Sequence, residues 1–162
     1  MDDWIEGFRQ TIGRANGLLL HISEERSSIP RAPGKWSPKE IVGHLIDSAA
    51  NNHQRFVRAQ FTDDLIFPGY EQTDWVRVQR YSERPWIQLV ELWRQYNLHL
   101  AHLMAAIPEE TRTKSRARHN LHQLAWQSVD ENVPVTLDYF MRDYVDHLQH
   151  HLDQILLAKA TS

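Results

Sequence analysis

Apolar side chains recur at the spacing of a helix through four long stretches of this chain, and no segment keeps the two-residue alternation of a strand. That pattern confines the fold to an all-α class. The first stretch predicts a helix over about residues 3–25, with Trp4, Phe8, Ile12, Ala15, Leu18, Leu19 and Ile22 along one face. SSIPRAPGKW follows, and its two prolines and one glycine cannot continue the helix. The second helix has a clear start in Ser37-Pro38-Lys39-Glu40: a Ser N-cap, Pro at the first helical position and Glu placed for a capping box. It is expected to reach about residue 61. A third helix is expected over 85–108 and a fourth over about 136–158, with short helices near 74–80 and within 119–127. Four helices of this length would be about 33–38 Å long and pack as an antiparallel bundle, read as one domain over residues 1–162.

At 162 residues the chain can bury a substantial core without disulfides or a structural metal. It contains no cysteine, which excludes thiolate zinc sites, iron–sulfur ligation and a cysteine nucleophile. Its first residues, MDDWIEGFRQ, are acidic and followed only by the short apolar run LLL, unlike a signal peptide or a membrane span. A cytoplasmic protein without membrane attachment is the expectation. A net charge of -3 argues against nucleic acid as a partner. The local basic segment TRTKSRARH, residues 111–119, reads as a solvated surface stretch.

His147 and His151 stand four apart in the last helical stretch, so both imidazoles share one face and could serve a single ion. On a helical projection they lie at the edge of the apolar stripe, whereas His150 points away and is excluded as a ligand. His44 occupies the same kind of edge on the second helix, beside a polar stripe of Ser48, Asn51, Asn52 and Arg55. Polar groups at a bundle interface need partners, which suggests a cavity filled by water or substrate. With ten histidines, one pair four apart is chance background, and spacing alone does not identify a third ligand. His99 with His102, and His119 with His122, read as surface or rim side chains. Candidate acid–base groups are Asp143, Tyr144 and Asp47, the two acids reading more simply as solvent-facing. Ser48, Asn51, Asn52, Arg55 and Gln154 are candidates for substrate binding. No Glu stands beside His147 in the manner of zinc peptidases, which discounts peptidase chemistry.

Two motifs together carry a resemblance. Trp36-Ser37-Pro38-Lys39-Glu40-Ile41-Val42-Gly43-His44-Leu45, followed about a hundred residues on by His147-Leu148-Gln149-His150-His151-Leu152-Asp153-Gln154-Ile155, resembles the DinB/YfiT-like superfamily across nearly the whole chain. The resemblance implies a four-helix bundle of up-up-down-down type with long crossover connections, often a homodimer. It also implies a divalent ion held by residues that map to His44, His147 and His151. Nickel and zinc are the usual ions of the family, and iron or manganese would also suit three imidazoles. Its characterised members include bacillithiol S-transferases and mycothiol-dependent isomerases, and others carry the label of metal-dependent hydrolases. The implied activity is hydrolysis of a small molecule, or S-transfer with a low-molecular-weight thiol as co-substrate. The alternative is a non-catalytic metal-binding or stress-associated dimeric bundle.

Overall fold

The computed structural model describes residues 3–157. Its long helices are α1 (Asp3–Leu20), α3 (Pro38–Arg58), α5 (Trp86–Ala106) and α8 (Leu137–Leu156). Between them lie α2 (Glu24–Ser27), α4 (Gln72–Gln79), a 3-10 turn (Tyr81–Glu83), α6 (Glu109–Thr113) and α7 (Leu121–Leu124). Only isolated bridges, Leu65 with His119 and Arg116 with Val135, stand in for strands among the described residues. None of these helices is long and apolar enough to cross a membrane.

Local chemistry explains most of the boundaries. Ser37 Oγ accepts from the Glu40 N–H at 3.4 Å while the Ser37 N–H donates to Glu40 Oε2 at 2.8 Å, closing the capping box at the start of α3. Thr136 caps α8 in the same way, accepting from the Tyr139 N–H at 3.0 Å. The first helix stops at Leu20 instead of continuing to 25, because Ser23 N-caps a separate turn, α2. Likewise α3 ends at Arg58, short of the expected 61. The expected end of α8 at Ala158 falls outside the described residues.

Side-chain contacts fix the helix directions. Arg9 reaches the Ala101 carbonyl and the Trp86 indole N–H reaches the Leu19 carbonyl, so α1 and α5 are antiparallel. Lys39 meets the Ser82 carbonyl, and His53 meets Tyr96, so α3 runs parallel to α5. Phe56 packs on Phe140 and His44 on His147, which makes α8 antiparallel to α3. Trp4 faces Arg142 and Phe8 faces Tyr144, which makes α8 parallel to α1. The order is therefore up-down-down-up, not the up-up-down-down expected. A parallel α3–α5 pair obliges residues 59–85 to travel back along the bundle, and α4 lies in this crossover.

Both ends of the bundle are tied by ionic groups. At one end Glu24 accepts from Lys39 Nζ and, at 2.7 Å, from the Trp86 N–H, linking α2, α3 and α5. At the other, the buried Arg116 guanidinium donates to the carbonyls of Ala59, Thr62 and Thr111, satisfying groups that the end of α3 leaves open. Arg112 pairs with Asp138 at 3.0 Å. The basic segment 111–119 is thus partly interior, contrary to the solvated stretch expected. His119 is buried as well, donating from Nε2 to the Val133 carbonyl at 2.8 Å and accepting the Leu121 N–H at Nδ1.

One glycine sets a close approach. Tyr81 lays its ring over the Gly43 Cα, and a Cβ at that position would overlap the ring. The ring cannot swing aside easily, since its hydroxyl donates to Asp47 Oδ1 at 2.6 Å. Gly43→Ala should therefore destabilise the protein by about 1–3 kcal/mol. Gly13→Ala, on an exposed part of α1 with open space around it, should stabilise by about 0.5–1 kcal/mol. Urea unfolding of the two variants beside the wild type checks the opposite signs.

Candidate metal centre

Antiparallel packing brings the N-terminal third of α3 against the C-terminal half of α8, and there His44 meets His147 and His151. His44 Nε2 lies 3.3 Å from His147 Nε2, and His151 Nε2 lies 3.1 Å from the same atom. One ring nitrogen from each of the three falls within 4.8 Å of the others. Burial drives the pKa of His44 down to about 3, with the neighbouring His151 adding to the effect. Burial also takes His147 to about 3, helped by His151 and His44, and lowers His151. All three rings are accordingly neutral at pH 7, each with one lone pair to offer.

These residues fit a cation. Two nitrogens held about 2.0–2.1 Å from one tetrahedral ion stand about 3.3–3.4 Å apart, close to both separations seen here. His151 Nδ1 donates to Gln154 Oε1 at 2.8 Å, which leaves the lone pair on Nε2, where the three rings converge. Gln154 in turn donates from Nε2 to His150 Nε2 at 3.3 Å, so its amide orientation is set from both sides. Trp36 packs on the back of the His44 ring at 5.1 Å between centroids. His44 is fully buried, and its Nδ1 has no partner in the protein.

A cavity of about 430 Å³ opens from His147 and His151 along the α3–α8 groove. Ser48, Asn52 and Arg55 form its α3 wall, and Asp143 and Tyr144 belong to its α8 wall. The crossover adds Tyr70 and Gln72, and the loop after α7 adds Trp126. Asn52 donates from Nδ2 to the Ser48 carbonyl at 2.9 Å, and Tyr70 meets the Ser48 side chain while burial pushes its phenol up to about 12. Asn51 is outside this wall, donating to the Asp47 carbonyl at 2.9 Å.

Neither candidate acid faces solvent as expected, because each anchors backbone or side-chain donors in the interior. Asp143 is 6 % exposed and accepts the N–H groups of Trp126 and Gln127, each at 2.8 Å. Burial raises its pKa, and these two bonds oppose the rise. Asp47 is 2 % exposed and away from the cavity, accepting from Tyr81 and from Gln79 Nε2 at 2.7 Å. Burial raises its pKa too, against the bonds from Tyr81 and Gln79. The Tyr144 hydroxyl is committed to Asn97 Oδ1 at 2.5 Å, so only its ring borders the cavity. Gln154 touches His151 and lies outside the wall.

Tyr70 and Trp126 sit on irregular segments, where no periodicity assigns a face, and Gln72 stands at the first position of the short α4. The one available signal was aromatic: Tyr70 follows Pro68-Gly69, and Trp126 interrupts a polar loop. His150 is exposed, and its ring lies 5.1 Å from Trp126 on the cavity rim.

Known proteins are similar to this chain in sequence and in fold. A protein of Oceanobacillus iheyensis, whose name assigns it provisionally to the metal-dependent hydrolases, is 21% identical over 156 residues, covering 96% of this chain and 83% of its own. A similarly named protein of Halalkalibacterium halodurans is 22% identical over 79 residues, covering 49% of this chain and 46% of its own. The solved structure of YfiT from Bacillus subtilis, described as a probable metal-dependent hydrolase with an unusual four-helix bundle topology, superposes with a TM-score of 0.73 at 16% identity. That superposition covers 98% of this chain and 87% of YfiT. Residues 8–155, almost the whole described bundle, match the sequence pattern of one family, and the chain belongs to the DinB superfamily.

Proposed function

We propose that this protein is a metal-dependent hydrolase of small molecules, in which His44, His147 and His151 hold one divalent ion, zinc or nickel ahead of iron or manganese. The observation that carries the reading is the convergence of three neutral imidazole nitrogens at the head of a polar cavity. Bound there, such an ion supplies Lewis acidity and the means of ionising water or a thiol near neutral pH. The chain's own residues contribute orientation and shielding. Gln154 fixes the His151 tautomer, Trp36 keeps solvent from His44, and Tyr70 and Trp126 wall the cavity from opposite segments. Ser48 and Asn52 offer hydroxyl and amide groups to a bound molecule.

A second reading, S-transfer from a low-molecular-weight thiol to an electrophile, is favoured by one observation. Asp143, the cavity's carboxylate among the described residues, spends its oxygens on backbone N–H groups, which leaves no free carboxylate to activate water. A thiol ionised at the metal needs no such base. Ester and amide hydrolysis panels, run beside conjugation assays with several small thiols, separate the two. Turnover in neither, with metal bound, would instead support a non-catalytic metal-binding bundle.

Protein purified without a histidine tag should carry about one ion per chain by plasma mass spectrometry, and His147→Ala or His151→Ala should abolish it. Wild-type protein free of stoichiometric ion would overturn the metal reading. Gln154→Ala removes the acceptor that orients His151 and should weaken metal affinity about 10–100-fold, read by chelator competition.

The metal-free protein should also lose stability in acid. His44 and His147 take up protons only near pH 3 when folded, but near 6.5 when unfolded. Between those values the unfolded chain binds more protons, so stability rises with pH and falls as pH drops below 6.5. The loss should reach at most about 1.4 kcal/mol per pH unit for each ring. Denaturant midpoints of the chelated protein from pH 7 to 4 check this, and a His44→Asn variant should show a shallower slope.

A further inference from the structure

Arg55 lies eleven residues beyond His44 on α3, about 16 Å of helix rise along the cavity from the three histidines. It is 6 % exposed, and the ion pairs among the described residues do not include it. A buried guanidinium without a counter-charge is costly, and such groups persist where a ligand completes them. Two of its hydrogen bonds are to neutral acceptors: Nη2 donates to the Pro68 carbonyl at 3.0 Å and Nη1 to Asn52 Oδ1 at 3.4 Å. Of the five N–H donors of a guanidinium, three are left for another partner. Its position is nonetheless fixed. Asn52 is itself turned by its bonds to Ser48, and the Tyr70 ring lies 5.9 Å from the guanidinium carbon.

We infer that the cavity takes a small molecule with a single carboxylate, which Arg55 binds in the part of the cavity remote from the three histidines, so that the reacting group lies towards them. This rests on reading the cavity as the substrate site. A fork of parallel N–H donors suits a carboxylate or a phosphate equally in shape. Charge decides between them. No lysine and no second arginine line the cavity, and Asp143 adds a carboxyl group to the lining, so the end at Arg55 compensates one negative charge and not two. Trp126, Phe140 and Leu124 are also part of the lining, which suits an apolar or aromatic body to the molecule.

The test is a binding comparison that does not depend on turnover. Isothermal titration is run with 4-phenylbutyrate, its uncharged carboxamide and phenyl phosphate, on wild-type protein both metal-loaded and chelator-treated. The acid should bind roughly ten-fold or more tightly than the amide in both states, since a charged hydrogen-bonded pair is worth that much. Arg55→Gln should bring acid and amide to equal affinity, and Arg55→Lys, which keeps the charge but loses the fork, should retain part of the difference. Unfolding midpoints are measured for each variant, and if Arg55→Gln does not fold, Arg55→Lys carries the comparison. Equal binding of acid and amide to the wild type, an acid preference that survives in Arg55→Gln, tighter binding of phenyl phosphate, or no binding of the acid would each overturn the inference. Failure of the metal reading shows separately, as absence of stoichiometric ion, and leaves the acid-to-amide ratio readable.

Discussion

The register between α3 and α8 is the constraint on which the site depends. Away from the histidines the seam is aromatic: Phe56 meets Phe140 edge-on at 5.7 Å and Tyr144 at 5.9 Å, and Phe67 stacks on Phe140 at 6.1 Å. Rings packed at such densities accept few alternative arrangements. A slip of one helical turn would move His147 and His151 by about 5.4 Å relative to His44 and destroy the convergence of their nitrogens. Apolar packing at one half of the seam thus specifies polar geometry at the other.

The polar half is held together by groups that would be unstable alone. Asp47 and Asp143 are both buried carboxylates whose pKa burial raises, and each accepts hydrogen bonds from a different connecting segment, the crossover for Asp47 and the loop after α7 for Asp143. The acids therefore fasten irregular chain to the bundle. Much of their stability comes from N–H and O–H donors, since neither forms an ion pair among the described residues.

What could be read from the sequence divides along the same line. Helix identity, the capping box at Ser37 and the edge position of His44, His147 and His151 follow from periodicity within a helix, and the structure brings those three rings together. The order of helix directions does not follow, because up-up-down-down and up-down-down-up bundles present the same apolar stripes; they differ only in long-range pairing. Nor does the burial of Asp143, Asp47, Arg116 or His119 follow. On a projection the two acids are polar residues off the apolar arc, Arg116 and His119 stand in connecting chain outside the helices, and long-range contacts take all four out of water. The placement of Tyr70 and Trp126 fails for the same reason.

The parallel pairing of α3 and α5 has a consequence for how such a protein diversifies. Because residues 59–85 must return along the bundle, this crossover, and not one of the four long helices, supplies Tyr70 and Gln72 to the cavity. The imidazoles stand on the long helices, whereas part of the surface that lines the cavity is on the segment joining two of them. Ligand preference can drift through that segment's sequence while helix register, and with it the ligand set for an ion, stays under separate selection.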